Sequence, residues 1–122
     1  MSINMKIYGQ CPSGKNAIIV TRSGLRIPGK RFSEWRTLAL HQIQNIQKIG
    51  LLRIDSPCSI TIDYWSGDRR RRDVPGIIDA IYHVLEKAEI VTDDRYLGGD
   101  GCKQVFNNHG QSEDPRVEIT IH

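Results

Sequence analysis

The chain has 122 residues, long enough for one domain around one core and too short for two of ordinary size. Its formal charge of +3 is too small to mark a nucleic-acid binder, but Arg69, Arg70, Arg71 and Arg72 are adjacent, so local charge matters more than the total. Cys11, Cys58 and Cys102 are odd in number, far apart and without a C-x-x-C pair, which argues against a disulfide framework or a zinc cluster and fits a reducing cytoplasm. No apolar run reaches membrane-spanning length, so a soluble, unexported protein is expected.

Ile3, Met5 and Ile7 alternate with polar residues up to Gly9, the pattern of a first strand with one buried face. The β-branched stretch from Ala17 to Thr21, a turn at Ser23-Gly24, and Leu25 to Ile27 predict a hairpin ended by Pro28-Gly29. From about Phe32 to Lys48, residues Phe32, Trp35, Leu38, Ala39, Ile43 and Ile46 recur at three- and four-residue steps, predicting a helix that stops at Gly50. Ser59 to Trp65 alternates strictly, with Ile60, Ile62 and Tyr64 on one face, and runs directly into the arginines. A second helix begins near Pro75, a favoured first-turn residue. Its buried stripe is Ile77, Ile78, Ile81, Leu85 and Ala88, with Asp79, His83 and Glu86 on the other side. Another strand is expected within Tyr96 to Phe106, weakened by Gly98, Gly99 and Gly101, while Asn107 to Pro115 reads as a polar loop. Val117, Ile119 and Ile121 alternate as a final strand. These elements predict an α+β fold in which residues 1–122 form one small domain, a mixed β-sheet packed against two helices.

Gly9 to Lys15 spells G-x-x-x-x-G-K, the outline of a phosphate-binding loop. That identity is rejected, because Asn16 replaces the Ser or Thr that would hold magnesium and a strand composition follows where a helix should start. The arginine run has a bland explanation as a solvated loop. Against it, adjacent like charges repel, a phosphate would relieve them, and strand-to-helix junctions commonly carry function. Asp73 taken alone is a helix cap, and Asp93-Asp94 a turn. Together they flank one helix beside the arginines, and carboxylates gathered there are best explained by a divalent cation and phosphodiester chemistry. The four histidines do not cluster, so none is assigned a role.

The stretch RRRRDVPGIIDAIYHVLEKAEIVTDD, from Arg69 to Asp94, resembles the core of the RusA-like Holliday junction resolvases: an arginine run, Asp, a helix, a Lys/Glu-Ala turn and a paired Asp-Asp. Pro12-Ser13 and Asn16 look like the family's Pro-Pro-Ser-x-Asn segment, with Cys11 in place of one proline. The resemblance implies a RusA-like fold and a Mg2+-dependent endonuclease, with Mn2+ able to stand in, that nicks branched DNA. Four-way junctions in recombination and repair are its most natural substrate, and it would act in the cytoplasm as a twofold homodimer. Residue by residue, Asp73 matches the first acid of the family's Asp-Leu-Asp-Asn, and Asp94 the metal-binding acid of the downstream pair. The second acid is missing, because Pro75 stands in its place. Asp79, four residues on and one helical turn along the same face, is the physical substitute. The expected metal set is therefore Asp73, Asp79 and Asp94 with Asp93 in support. The cation would lower the pKa of a bound water and stabilise charge on the scissile phosphate. Lys15 and Arg69 to Arg72 would position the DNA backbone. Two rivals stand beside this: a protein of the same fold that binds junctions without cutting them because Pro75 has removed an acid, and a nuclease or regulator acting on flaps or RNA.

Overall fold

A computed structural model describes residues 3–13, 18–20, 22–28, 30–47, 53–69 and 72–122. The period-two stretches become strands β1 (Ile3–Tyr8), β4 (Ile60–Ser66) and β6 (Arg116–Ile121), with Ile3, Met5, Ile7, Ile60, Ile62, Tyr64, Val117, Ile119 and Ile121 all buried on one sheet face. β2 (Ile18–Val20) and β3 (Arg26–Pro28) form the expected hairpin as a separate two-stranded sheet.

The main sheet has the order β1-β6-β4-β5. β6 is antiparallel to both neighbours, pairing Ile3 with Ile121 on one side and Ile60 with Ile121 on the other. β5 (Gln104–Gln111) runs parallel to β4. The sheet is therefore mixed, as expected, but residues 107–111 are strand rather than loop. Their Asn-Asn-His-Gly composition disfavours a strand locally, and the ladder offered by β4 overrides that preference.

Two helices cover the apolar face. α1 (Lys30–Gln47) buries Phe32, Trp35, Ala39 and Ile43, while Leu38 is turned out to solvent at 57% exposure. Ile46 lies where side chains are not described. α2 (Val74–Lys87) has Pro75 in its first turn, and buries Gly76, Ile77, Ala80, Ile81, Val84 and Leu85. Ile78 is only half-buried. His83, expected on an exposed face, is half-buried with its ring edge-on to Phe32 at 5.4 Å, because α1 packs across that side of α2. After α2, Glu89 takes a left-handed conformation, and Ile54 pairs with Val91 and Cys58 with Leu97 as isolated parallel bridges. This ties the segment carrying Asp93-Asp94 back to the approach of β4. No helix among the described residues is long and apolar enough to cross a membrane.

Candidate functional site

β4 delivers the chain to the arginine run, and a polar clasp fixes where it leaves the sheet. Ser66 Oγ donates to the Asp68 carbonyl at 2.7 Å and to the Gly110 carbonyl at 3.3 Å. Gln10, just beyond β1, accepts from the Gly67 N–H at 2.5 Å and donates to the Cys11 carbonyl and the Tyr64 hydroxyl at 3.0 and 2.8 Å. One side chain thus fastens the loop after β1, the end of β4 and the start of the basic segment.

The arginines have different fates. Arg72 turns inward, with 11% of its side chain exposed, and donates through both terminal nitrogens to the Asp68 carboxylate at 2.6 and 3.1 Å. That bidentate bond, more than any other influence, raises the guanidinium pKa further and commits the side chain to Asp68. Arg69 is exposed and its Nε donates to Gln111 Oε1 on β5 at 3.2 Å. Arg70, Arg71 and Lys15 lie outside the described residues. Between the start of α2 and the end of β5 opens a cleft of about 440 Å³ whose lining includes Tyr64, Asp68, Arg69, Arg72, Asn108 and Gln111. Burial raises the Tyr64 phenol against the opposing pull of its Gln10 hydrogen bond, so it remains a neutral hydroxyl in the cleft wall at physiological pH.

The acids are spread along α2. Asp73 holds the N-cap position, and its carbonyl accepts from the Ile77 N–H at 3.1 Å, yet its carboxylate makes no capping hydrogen bond. The routine capping explanation for this residue therefore fails at the side chain. Asp79 is exposed on α2. Asp93 is consumed locally, accepting from the Arg95 N–H at 3.0 Å and pairing with Arg95 Nε at 3.1 Å as it caps the short 3₁₀ turn Asp94–Tyr96. Asp94 lies near the Tyr82 phenol and adds to the upward shift that burial gives it.

Tyr82 lies nine positions beyond Asp73, about 13 Å along the axis of α2, with Asp79 between them. Among the described residues no group of three or more His, Cys, Asp or Glu is gathered closely enough to hold a metal ion. The donor set Asp73, Asp79 and Asp94 does not, in this arrangement, fit magnesium as a preformed centre.

Nothing in the sequence singles out Gln10, which belongs to no periodic pattern and acts 54 to 57 residues away. The same is true of the polar cluster on the open sheet face. There the Trp65 ring meets the Arg116 guanidinium at 4.0 Å and stacks on the His109 ring at 4.3 Å. Asp63 Oδ1 lies 2.7 Å from His109 Nε2, and Glu118 accepts from Arg116 Nε at 2.9 Å. Alternation along β4 places Trp65 opposite Tyr64, but which partners it meets depends on β5 and β6. No protein-family model matches this chain, and no curated protein matches it.

Proposed function

We propose that this protein binds the phosphate backbone of branched DNA, four-way junctions above all, and nicks it with magnesium, in the manner of the RusA-like resolvases its sequence resembles. The observation that carries the proposal is one strand-to-helix junction that presents a basic segment, an open cleft and an aspartate carboxylate the helix does not use as a cap. Arg69, with Arg70, Arg71 and Lys15, supplies phosphate contacts, and the Asp68–Arg72 pair bridges the two ends of the arginine run. Tyr64 and Asn108 offer neutral hydrogen-bonding groups in the cleft wall. Asp73, Asp79 and Asp94 are the acids available for a cation. These three do not converge, so no catalytic step is assigned to a cation among them.

That separation specifically favours a second reading, a protein that holds junctions without cutting them. A synthetic four-way junction incubated with the protein, with and without magnesium, separates the two. Magnesium-dependent nicking that Asp73→Asn abolishes while binding persists supports the endonuclease. Binding unaffected by magnesium and never followed by nicking supports the non-cleaving protein, and absence of any preference for branched over linear duplex removes both.

A further inference from the structure

We propose that Cys58 and Cys102 form a redox-active pair, a dithiol that exchanges with a small-molecule disulfide of the glutathione type and closes into a reversible internal bridge. The proposal does not depend on the DNA-binding reading. Their spacing in the sequence gives no sign of it, because the two cysteines belong to separate stretches that only the parallel pairing of β4 with β5 brings side by side.

That ladder begins where Ile60 pairs with Gln104. One step earlier, the Lys103 N–H donates to Ser59 Oγ at 3.0 Å and the Lys103 carbonyl accepts from the Ile60 N–H at 2.9 Å. Cys58 and Cys102 immediately precede Ser59 and Lys103, so the backbone brings them level. Side chains alternate along a strand, and the even-numbered ones here face the helices. Tyr64 and Phe106 hold their rings 5.9 Å apart on that side, and Gln104 donates to the Tyr82 hydroxyl of α2 at 2.6 Å. Cys58 and Cys102 continue these two rows. The thiols also sense each other, since Cys102 adds to the rise that burial gives the Cys58 pKa. Cys58 in turn adds to the rise of the Tyr82 phenol, in keeping with a sulfur on the α2 side.

The two cysteines are held differently. Cys58 is fixed by its backbone, donating to the Tyr96 carbonyl at 2.9 Å and accepting from the Gly98 N–H at 2.8 Å, and its thiol donates to the Tyr96 carbonyl at 3.8 Å. Cys102 closes a tight turn, its N–H donating to the Gly99 carbonyl at 2.9 Å, with Gly101 before it at φ 82°. A disulfide needs Cα atoms within about 7 Å, and the glycine turn is the side able to adjust to that limit. Neither thiol is fully buried, so a small disulfide reaches them. Where thiols are kept reduced, such pairs serve as transient sensors rather than as structural bridges.

Burial and its hydrogen bond keep Cys58 protonated, so Cys102 attacks first. Its thiolate takes one sulfur of the small disulfide, forming a mixed disulfide and expelling one thiolate. Cys58 then gives up its proton and attacks the Cys102 sulfur, which forms the internal bridge and expels the second thiolate. The two cysteines lose two electrons and two protons, and the small disulfide gains both as two thiols. Excess reduced thiol runs the exchange backward.

The test incubates the native full chain with oxidised glutathione, quenches with N-ethylmaleimide and weighs the products before and after proteolysis. Two of the three cysteines are expected to escape alkylation, with the peptides carrying Cys58 and Cys102 joined and the fully buried Cys11 still a thiol. Cys58→Ser is expected to stop at glutathione on Cys102. The bridge closes a loop containing β4 and α2, so the bridged chain is expected to melt about 10 °C above the reduced one. Glutathione adducts that never resolve into a bridge, a bridge that forms only in urea, or a bridged chain that melts below the reduced one overturns the proposal. So does a bridge that excess reduced glutathione fails to open.

Discussion

Helix propensity alone predicts that Gly76→Ala stabilises this protein by about 1 kcal/mol, since glycine inside a helix is costly. The tertiary structure predicts the reverse. A Cβ built at residue 76 falls 2.6 Å from the Ser13 carbonyl carbon and closer still to its oxygen, with Asp73 Oδ2 at 3.1 Å. The obstacle is backbone rather than a movable side-chain tip, so the Cys11–Ser13 segment has to lift off α2. Cys11 is fully buried there. Forced overpacking of this kind costs on the order of 1–3 kcal/mol. Exposing part of the thiol adds roughly 1 kcal/mol, and the propensity gain returns about as much. The net expectation is destabilisation of about 2 kcal/mol, which for a chain of this length lowers Tm by roughly 6 to 12 °C. Thermal and urea denaturation followed by circular dichroism measure it, and native-state reaction of Cys11 with a thiol reagent reports whether the segment has lifted. A Tm equal to or above that of the wild type would refute the close approach of Ser13 to α2.

Asp68→Ala is expected to cost about 2 kcal/mol in urea denaturation, between an exposed and a fully buried ion pair, because Asp68 is half exposed while Arg72 is not; a loss below about 0.5 kcal/mol would show that Arg72 is held by its other neighbours. Burial, and then the neighbouring Cys102 thiol, raise the Cys58 thiol, so its alkylation should stay slow through the ordinary thiol range and accelerate only at higher pH. Cys102→Ser should move that profile toward lower pH, and an unmoved profile counts against the proximity of the two sulfurs. Asp79→Ala should impair magnesium-dependent nicking nearly as much as Asp73→Asn with little change in Tm, whereas an acid that is only a solvated surface group leaves nicking intact. Replacing Arg70 and Arg71 with alanine should flatten the salt dependence of DNA binding by about 0.9 in slope for each duplex phosphate that is no longer neutralised, and an unchanged slope would show that they do not touch the backbone.

The strands with one buried face were legible because a period of two is a local property: Ile3 to Ile7, Ile60 to Tyr64 and Val117 to Ile121 each announce themselves. α2 was equally plain, with Pro75 at its start and an apolar stripe along it. β5 was legible only at its start, Gln104 to Phe106, since Asn107, Asn108 and Gly110 are turn residues by local chemistry and become strand only through β4. Within the candidate site, the basic run between strand and helix was readable in outline. The inward turn of Arg72 toward Asp68, the Gln10 clasp and the side chain of His83 were not, because each depends on how distant or irregular segments pack. That Asp73 and Asp94 do not meet with a third acid in one group was hidden for the same reason. A linear motif places them at the two ends of one helix, and only the path after Glu89 decides how far the second acid travels back.

The central place of β6 has a kinetic consequence. β6 is the last described strand along the chain, yet it is the one that joins β1 to β4, and its contacts with β1 span more than a hundred residues, Ile3 lying opposite Ile121. During synthesis, therefore, β1 and β4 emerge early with no partner between them, and their apolar faces wait until residue 121 has left the ribosome. Closure of the sheet is a late event dominated by distant contacts, the kind that places folding toward the slow, millisecond-to-second end for domains of this size. Until it happens, Gln10 has no Tyr64 or Gly67 in place to fasten, so the end of β4 is clasped only once β6 has joined the sheet.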